Sequence, residues 1–217
     1  MKFRARDRTL ADRLVWQSAS LLLTYPDAHW TRRLETVDRL RAGVTGQAAA
    51  MLGESVAALR RVGEAQAAID YVETFDLGKR TTMYLTYWTA GDTRNRGSHM
   101  HAFVAAYHDA GVPVPKSEAP DHLPVVLEFA ATVDPDAGRR LLAAHQVPIR
   151  VLLDALTARG SAYAPAVAAV CATLPVPSER DMQRAHRLTA GGAPAEAVGL
   201  EPFTLTVPPR RVAGGSR

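Results

Sequence analysis

The sequence predicts an all-α protein, a single globular bundle of about nine or ten helices. Apolar residues recur at three- and four-residue steps along nearly every segment, which is the period of an amphipathic helix. No alternation of strand and helix patterns is found. The chain has 217 residues, 47% of them hydrophobic and 22% charged, which is ordinary for one globular domain. We therefore expect a helical domain over residues 1–190 and a flexible Gly-, Pro- and Ala-rich tail over residues 191–217.

In the first half of the chain, proline and glycine residues divide the helical pattern into segments. A first helix ends near Pro26, and three more follow before Gly78. The next stretch, TTMYLTYWTAG, is rich in threonine and aromatic residues and suits a helix or a strand. We assign it to a helix because no partner strands are evident nearby. One further helix ends at Gly111.

The second half of the chain predicts shorter helices, again bounded by proline, glycine and aspartate. Asp121 stands where it can cap the first of them, and Pro124 fits the first turn of that helix. A polar helix comes last, before the tail. The four helices that precede it fit residues 122–133, 134–146, 147–160 and 163–174.

Composition and motifs argue against several classes of function. The formal net charge is +4, but opposite charges alternate along the chain, which is a poor basis for binding nucleic acid. No glycine-rich phosphate loop follows a strand, and no catalytic motif is evident, so we do not expect an enzyme. Cys171 is the only cysteine and lies in an apolar helical run, which predicts an inert buried thiol. His99 and His101 point to different faces of one helix, and no metal site is expected.

The chain also lacks the features of a secreted or membrane-inserted protein. Its first residues carry charge but no uninterrupted apolar segment of a secretory signal. No stretch reaches the roughly 18 apolar residues needed to cross a bilayer. We therefore expect a cytoplasmic protein without stable membrane insertion.

Residues 71–97, YVETFDLGKRTTMYLTYWTAGDTRNRG, mix aromatic and basic side chains. On a helix, Tyr84 and Trp88 share one face with Tyr87 beside it, which suits either core packing or the wall of a groove. The polar turn that follows contains several charges with no reason to be buried unless they are paired. We expect Asp92, Arg94 and Arg96 to form an ion-pair network that locks two helices together.

Residues 118–129, EAPDHLPVVLEF, place an acidic cluster at the start of a helix. Glu118, Asp121 and His122 have two interpretations that the residues leave open. They act as a capping device with solvated neighbours, or they anchor a basic or hydroxylated group of a ligand.

These two blocks resemble the NarJ-type assembly chaperones of respiratory nitrate reductase, within the wider TorD group of redox-enzyme maturation proteins. The resemblance extends from about residue 10 to residue 175 and is absent from the tail. It implies an all-helical protein that catalyses no reaction and binds the N-terminal segment of the catalytic α subunit in the cytoplasm. It also implies that the apoenzyme is held before membrane attachment, while molybdenum-bis(molybdopterin guanine dinucleotide) is inserted into the client. No cofactor would be bound stably to the chaperone itself.

The resemblance and the clustering together give a hypothesis for the client site. An amphipathic peptide would lie in a groove between helices, with an acidic rim for a basic peptide end. The protein would act as a monomer or weak dimer. The expected rim network comprises Glu73, Asp92, Arg94 and Arg96. The expected peptide-binding residues are Tyr84, Tyr87, Trp88, Glu118, Asp121, His122, Leu123, Leu127 and Glu128.

Three alternatives stay open. The basic pI together with Arg94 and Arg96 would suit a helical regulator that binds nucleic acid. A nucleotide-linked small-ligand protein is a second alternative, against which the missing phosphate loop argues. The third concerns the tail, where Phe203, Leu205 and Val207 alternate with polar residues. That segment is either a loose end or edge addition, or it lies in the groove and competes with the client.

Overall fold

The computed structural model describes residues 2–78, 80–90 and 96–191, with side chains from residue 9 onward. This part of the chain confirms the all-α prediction, with eleven α-helices and a π-helical turn, Val72–Asp76, that continues α4. The predicted flexible tail lies outside the described residues apart from Gly191. The helices are α1 Lys2–Leu22, α2 Trp30–Arg41, α3 Gln47–Val62, α4 Glu64–Tyr71, α5 Tyr87–Ala90, α6 Arg96–Asp109, α7 Leu123–Thr132, α8 Pro135–Ala144, α9 Gln146–Ala158, α10 Ala164–Thr173 and α11 Glu179–Gly191.

Helix α1 is the central element and packs against α2, α3, α7 and α10. Because it has neighbours on several sides, polar side chains on its buried surface need partners on other helices. Trp16 Nε1 donates a hydrogen bond to Thr173 Oγ1 of α10 at 2.8 Å. Ser20 Oγ donates to the carbonyl oxygen of Pro124 in α7, also at 2.8 Å. These two bonds fix α1 against the helices on either side of it.

Helices α7 and α8 meet at a close contact that a glycine makes possible. A Cβ atom at Gly138 would collide with the Cβ and Cα atoms of Ala130. A helix was predicted to begin at residue 134, and Asp134 is the cap of α8, since its side chain accepts hydrogen bonds from the backbone N–H groups of Asp136 and Ala137. Residue Pro124 lies in the first turn of α7, which confirms its predicted place.

The prediction of a helix over TTMYLTYWTAG is wrong for most of that stretch. Of its described residues, only Tyr87–Ala90 are helical. Tyr84 forms an isolated antiparallel bridge with His122. The backbone N–H of Leu123 donates to Met83 O at 2.9 Å, and that of Leu85 donates to Asp121 O at 3.1 Å. Residues 83–85, which we call the extended segment, therefore pair with residues 121–123 at the start of α7. That partner is too short to be recognised as a strand in the sequence.

A second, smaller core forms where α5, α9 and α11 meet. Trp88 packs there with Val147, Val151 and Ala185, and Tyr87 lies at its edge. The predicted polar helix at the end of the domain thus buries one side against α9. Its anchor is Ala185, which is 3% exposed.

Within the described residues, no single helix combines the length and the apolar character that crossing a bilayer requires. Helices α8 and α9 pass this test of length and composition only when they are taken together, and they are bent by 68° at their junction.

Candidate functional site

A cavity of about 430 Å³ runs along one side of α7. Helix α7 lines it with residues spaced four apart, which lie on a single face of a helix. The facing wall comes from the end of α1, from three tyrosines and from the loop before α7. The lining residues are Ser20, Thr24, Tyr25, Tyr71, Tyr107, Pro115, Ser117, Glu118, His122, Pro124, Val125, Glu128, Phe129, Thr132 and Val133.

A second cavity of about 260 Å³ continues the first one beyond His122. It shares Tyr25, Tyr71, Glu118 and His122 with the larger cavity. We call the two together the α7 groove. The second cavity is completed by Phe75, Asp76, Thr82, Met83 and Tyr84.

The α7 groove combines an apolar wall with carboxylates. Tyr25 and Val133 are 46% and 41% exposed, which leaves apolar surface accessible. Glu118, Glu128 and Asp76 lie along the groove, and none of the described residues that line it is a lysine or arginine. Such a surface suits an apolar ligand that carries positive charge.

Asp121 ties the extended segment to the start of α7 from beneath the groove. Its side chain is fully buried, and its Oδ2 accepts hydrogen bonds from Thr86 N–H at 3.1 Å and from Thr86 Oγ1 at 2.5 Å. Arg96 Nη2 lies 3.6 Å from the same oxygen, and Arg96 Nε donates to Thr86 Oγ1 at 3.3 Å. A buried carboxylate needs such partners, because losing its hydration shell is costly.

Asp121 therefore does not cap α7, contrary to the prediction. His122 is the residue at the cap position, and no side-chain bond caps the helix there. The Oδ2 atom of Asp121 instead holds Thr86 and lies beside Arg96, whereas its Oδ1 atom has no hydrogen-bond partner among the described residues.

The Tyr84 ring contacts Arg96 and His122 at one end of the groove. The Arg96 guanidinium lies 5.1 Å from the centre of the Tyr84 ring, a cation–π contact. On the groove side, the His122 ring centre lies 5.0 Å away. Arg96 thereby connects the buried Asp121 to the groove wall.

His122 and Glu118 form the polar part of the groove. Burial lowers the pKa of His122 below its usual value, while the nearby carboxylates of Glu118, Asp121 and Asp76 oppose that shift. The Nδ1 atom of His122 lies 3.5 Å from Glu118 Oε2, and no hydrogen bond to a described residue satisfies it. Glu118 is 46% exposed, so its charge faces solvent and any ligand.

Tyr71, Tyr84 and Tyr107 of the groove keep their hydroxyl protons at neutral pH. Burial raises the pKa of Tyr107 to about 12, with a smaller contribution from Glu128. The pKa values of Tyr71 and Tyr84 are raised mainly by burial as well. The Tyr71 hydroxyl donates to Leu23 O at 3.2 Å. These rings offer apolar faces without negative charge.

The structure divides the predicted binding residues into two groups. Tyr84, Glu118, His122 and Glu128 line the α7 groove. Leu123 and Leu127 are fully buried on the opposite side of α7, so they have no hydrated surface for a peptide to cover. They support the groove wall from behind.

Tyr87 and Trp88 do not share a face with Tyr84, contrary to the prediction. Trp88 is 2% exposed in the second core, and Tyr87 packs beside it. Of the predicted rim network, Arg96 pairs with Asp121. Glu73 lies in a different cavity, and Asp92 and Arg94 lie outside the described residues.

Several residues of the groove were not identified from the sequence. Tyr25, Tyr71 and Tyr107 come from three separate parts of the chain, and Tyr71 packs edge-on against Tyr25 with ring centres 5.4 Å apart. Val125 lies within the apolar run PVVLEF of the sequence. Its spacing from Glu128 was the one local signal that it shares a face with an acidic residue.

Cys171 is partly rather than fully buried. Desolvation nevertheless raises the pKa of its thiol to about 11, so the inert protonated thiol that was predicted is the form present at neutral pH. Within the described part of the chain, no three His, Cys, Asp or Glu side chains are grouped so that they could hold a metal ion.

Comparison with known proteins finds similarity to proteins of nitrate reductase systems. Residues 38–169 match the family model described as nitrate reductase delta subunit, which is more than half of the chain. The probable nitrate reductase molybdenum cofactor assembly chaperone NarJ of Bacillus subtilis is 31% identical over 155 residues, covering 70% of this chain and 83% of that protein. NarJ of Escherichia coli K12 is 34% identical over 149 residues, covering 67% and 63%.

A higher identity is found with part of a much longer protein. The nitrate reductase-like protein NarX of Mycobacterium tuberculosis H37Rv is 57% identical over 160 residues. The match covers 74% of this chain but 24% of NarX, so the chain spans about a quarter of that relative.

Proposed function

The chain belongs to the nitrate reductase delta subunit family, and on that premise we propose that it is an assembly chaperone for a nitrate reductase or closely related molybdoenzyme. Two relatives that it matches over two thirds of its length are named as molybdenum cofactor assembly chaperones. The proposed client is the N-terminal segment of the catalytic subunit. Holding that segment would keep the apoenzyme competent while its molybdenum cofactor is inserted.

The α7 groove is the proposed binding site, and its open apolar wall beside residues 118–128 is the observation that carries this assignment. An amphipathic segment would place its apolar side against Tyr25, Val125 and Val133. Tyr84 and His122 would close one end. The buried residues Leu123 and Leu127 would hold α7 in place without touching the peptide.

The acidic side chains of the groove favour a client segment with a basic end. Glu118 and Glu128 are exposed, and Asp76 extends the negative charge into the smaller cavity. Opposite charges would steer and orient the peptide more than they would tighten it, because solvent screens exposed pairs.

Apolar burial supplies enough free energy for reversible capture. Covering about 400 Å² of apolar surface is worth about 10 kcal/mol at 25 cal/mol per Å². Loss of translational and conformational freedom removes several kcal/mol of this gain. The remainder, up to about 6 kcal/mol, corresponds to a dissociation constant of tens of micromolar or weaker, which suits a partner that must be released.

The chaperone acts by binding alone in this proposal. The molybdenum cofactor is delivered to the client and is not a resident group of this chain. The named relatives are assembly chaperones rather than catalytic subunits, which supports the same conclusion.

Titration calorimetry with a peptide from the N-terminus of the catalytic subunit tests the site. We expect Val125→Asp to weaken binding at least about tenfold, because it places an unpaired charge on the apolar wall. Val104→Asp on α6 is the matched control, since Val104 is 39% exposed and lies outside the groove. Thermal unfolding of both variants checks that the fold is retained. Equal affinity of the two variants contradicts the proposed site.

A further inference from the structure

One segment of this same chain has the chemistry that the α7 groove selects. We propose that residues 203–211, in the sequence EPFTLTVPPRR, occupy the α7 groove when no client is bound. This inference rests on the proposed function, because it treats the groove as the client site. It adds to that function an internal competitor that regulates access.

The apolar side of the segment fits the apolar wall. Phe203, Leu205 and Val207 alternate with polar residues, and prolines at 202, 208 and 209 favour an extended backbone. In an extended chain these three side chains project from one side, about 7 Å apart. They would cover the accessible surfaces of Tyr25 and Val133.

Charge distinguishes the α7 groove from the other cavities in the described part of the chain. Arg210 and Arg211 follow the apolar residues directly. The α7 groove offers them three carboxylates, and no lysine or arginine is among the described residues that line it. By contrast, a cavity of about 340 Å³ beside Tyr163 is lined by Arg61 and Arg159 as well as by Asp70 and Glu73, so its charges balance and it offers the segment no net attraction.

The connection between the last described helix and the segment is long. The last described residue is Gly191 at the end of α11. From Gly191 to Phe203 an extended chain spans up to about 40 Å. A domain of this size is about 40 Å across, so a chain of that length running over the surface reaches much of it, although not the point directly opposite.

Attachment to the same chain makes even weak docking effective. A tethered segment acts at an effective concentration of about a millimolar. If the segment alone bound with a dissociation constant near 100 μM, it would occupy about nine tenths of the grooves and weaken client binding about tenfold. Removing its apolar side chains would tighten client binding by a similar factor.

A spin label on the full-length chain tests the proposal without any client. In a Cys171→Ala background, a nitroxide is attached at Thr206→Cys, on the polar side of the segment, and methyl signals are recorded by NMR. We expect strong broadening of the Val125 and Val133 methyls and weaker broadening of Val62, which lines the cavity beside Tyr163. Adding Leu205→Asp should abolish the broadening, whereas Val198→Asp, a matched change outside the segment, should leave it.

The outcomes separate this proposal from the proposed function. Unbroadened groove methyls overturn it, whatever the client does. Spin-labelled chains can also be mixed with isotope-enriched chains that carry no label. If broadening occurs only in such mixtures, the segment binds the groove of a second copy, and the proposal is overturned. Broadening that a client peptide reverses supports both proposals. Broadening with no client binding at all supports docking of the segment and contradicts the client site.

Discussion

Glu118 and Asp121 lie three residues apart in one loop, yet their surroundings differ completely. Asp121 is fully buried and accepts two hydrogen bonds from Thr86, with Arg96 nearby. Glu118 is 46% exposed, and its neighbour His122 lies 3.5 Å away. One carboxylate thus belongs to the fold, whereas the other faces the groove. Two acidic residues in one short motif therefore have separate roles, and the difference in their burial decides which role each one has.

The largest effect that we expect is a loss of stability when the buried carboxylate of Asp121 is removed. Asp121→Ala leaves the Thr86 donors and the Arg96 charge without their partner, and we expect a loss of about 3–5 kcal/mol in the free energy of unfolding. Glu118→Ala should change it by less than about 0.5 kcal/mol. Urea denaturation of both variants measures the difference. Similar losses for the two would show that burial does not separate their roles.

For client binding, by contrast, we expect the exposed Glu118 to have a direct effect on affinity. Glu118→Gln removes an exposed charge from the groove, and we expect affinity for a basic client peptide to fall about two- to fivefold at low salt. The reduction should shrink as ionic strength rises. Glu54→Gln, an exposed change on α3, is the control. Calorimetry at two salt concentrations provides the measurement, and a salt-independent loss would contradict an electrostatic role.

The smallest effect concerns the pH dependence of stability through His122. Burial lowers the pKa of His122 in the folded state below 6.5. The unfolded state therefore binds the proton first as pH falls, so stability is lost as pH falls through about 6.5. Burial lowers the pKa of His145 too, and it contributes in the same direction.

Glu118 opposes the shift at His122, so Glu118→Gln should lower the pKa of His122 further. An NMR titration of the His122 ring measures this directly, with His145 as an internal control. A rise in the His122 pKa would mean that Glu118 does not favour the charged ring.

The helical architecture could be predicted because its signals are local. Helix α8 shows this well: Asp134 caps it, Pro135 begins it, and both are adjacent in the sequence. The extended segment before α5 could not be predicted in the same way. Its partner lies more than thirty residues away, and Thr86 bonds to Asp121 across that separation.

The site could be predicted only in part, because some of its residues are neighbours in the sequence and others are not. Glu118, His122 and Glu128 belong to one motif and line the groove together. Tyr25, Tyr71 and Tyr107 come from separate elements, so no sequence spacing brings them together. Trp88 was misplaced because Tyr84 is not helical, which removes the four-residue relation between the two.

Site-specific photo-crosslinking tests the central claim most directly. A benzophenone amino acid at position 125 lies in the α7 groove, and the same group at position 62 lies in the cavity beside Tyr163. With a catalytic-subunit peptide present, the account predicts crosslinks at position 125 and few at position 62. Crosslinks at position 62 and none at position 125, in folded protein that binds the peptide, would contradict it.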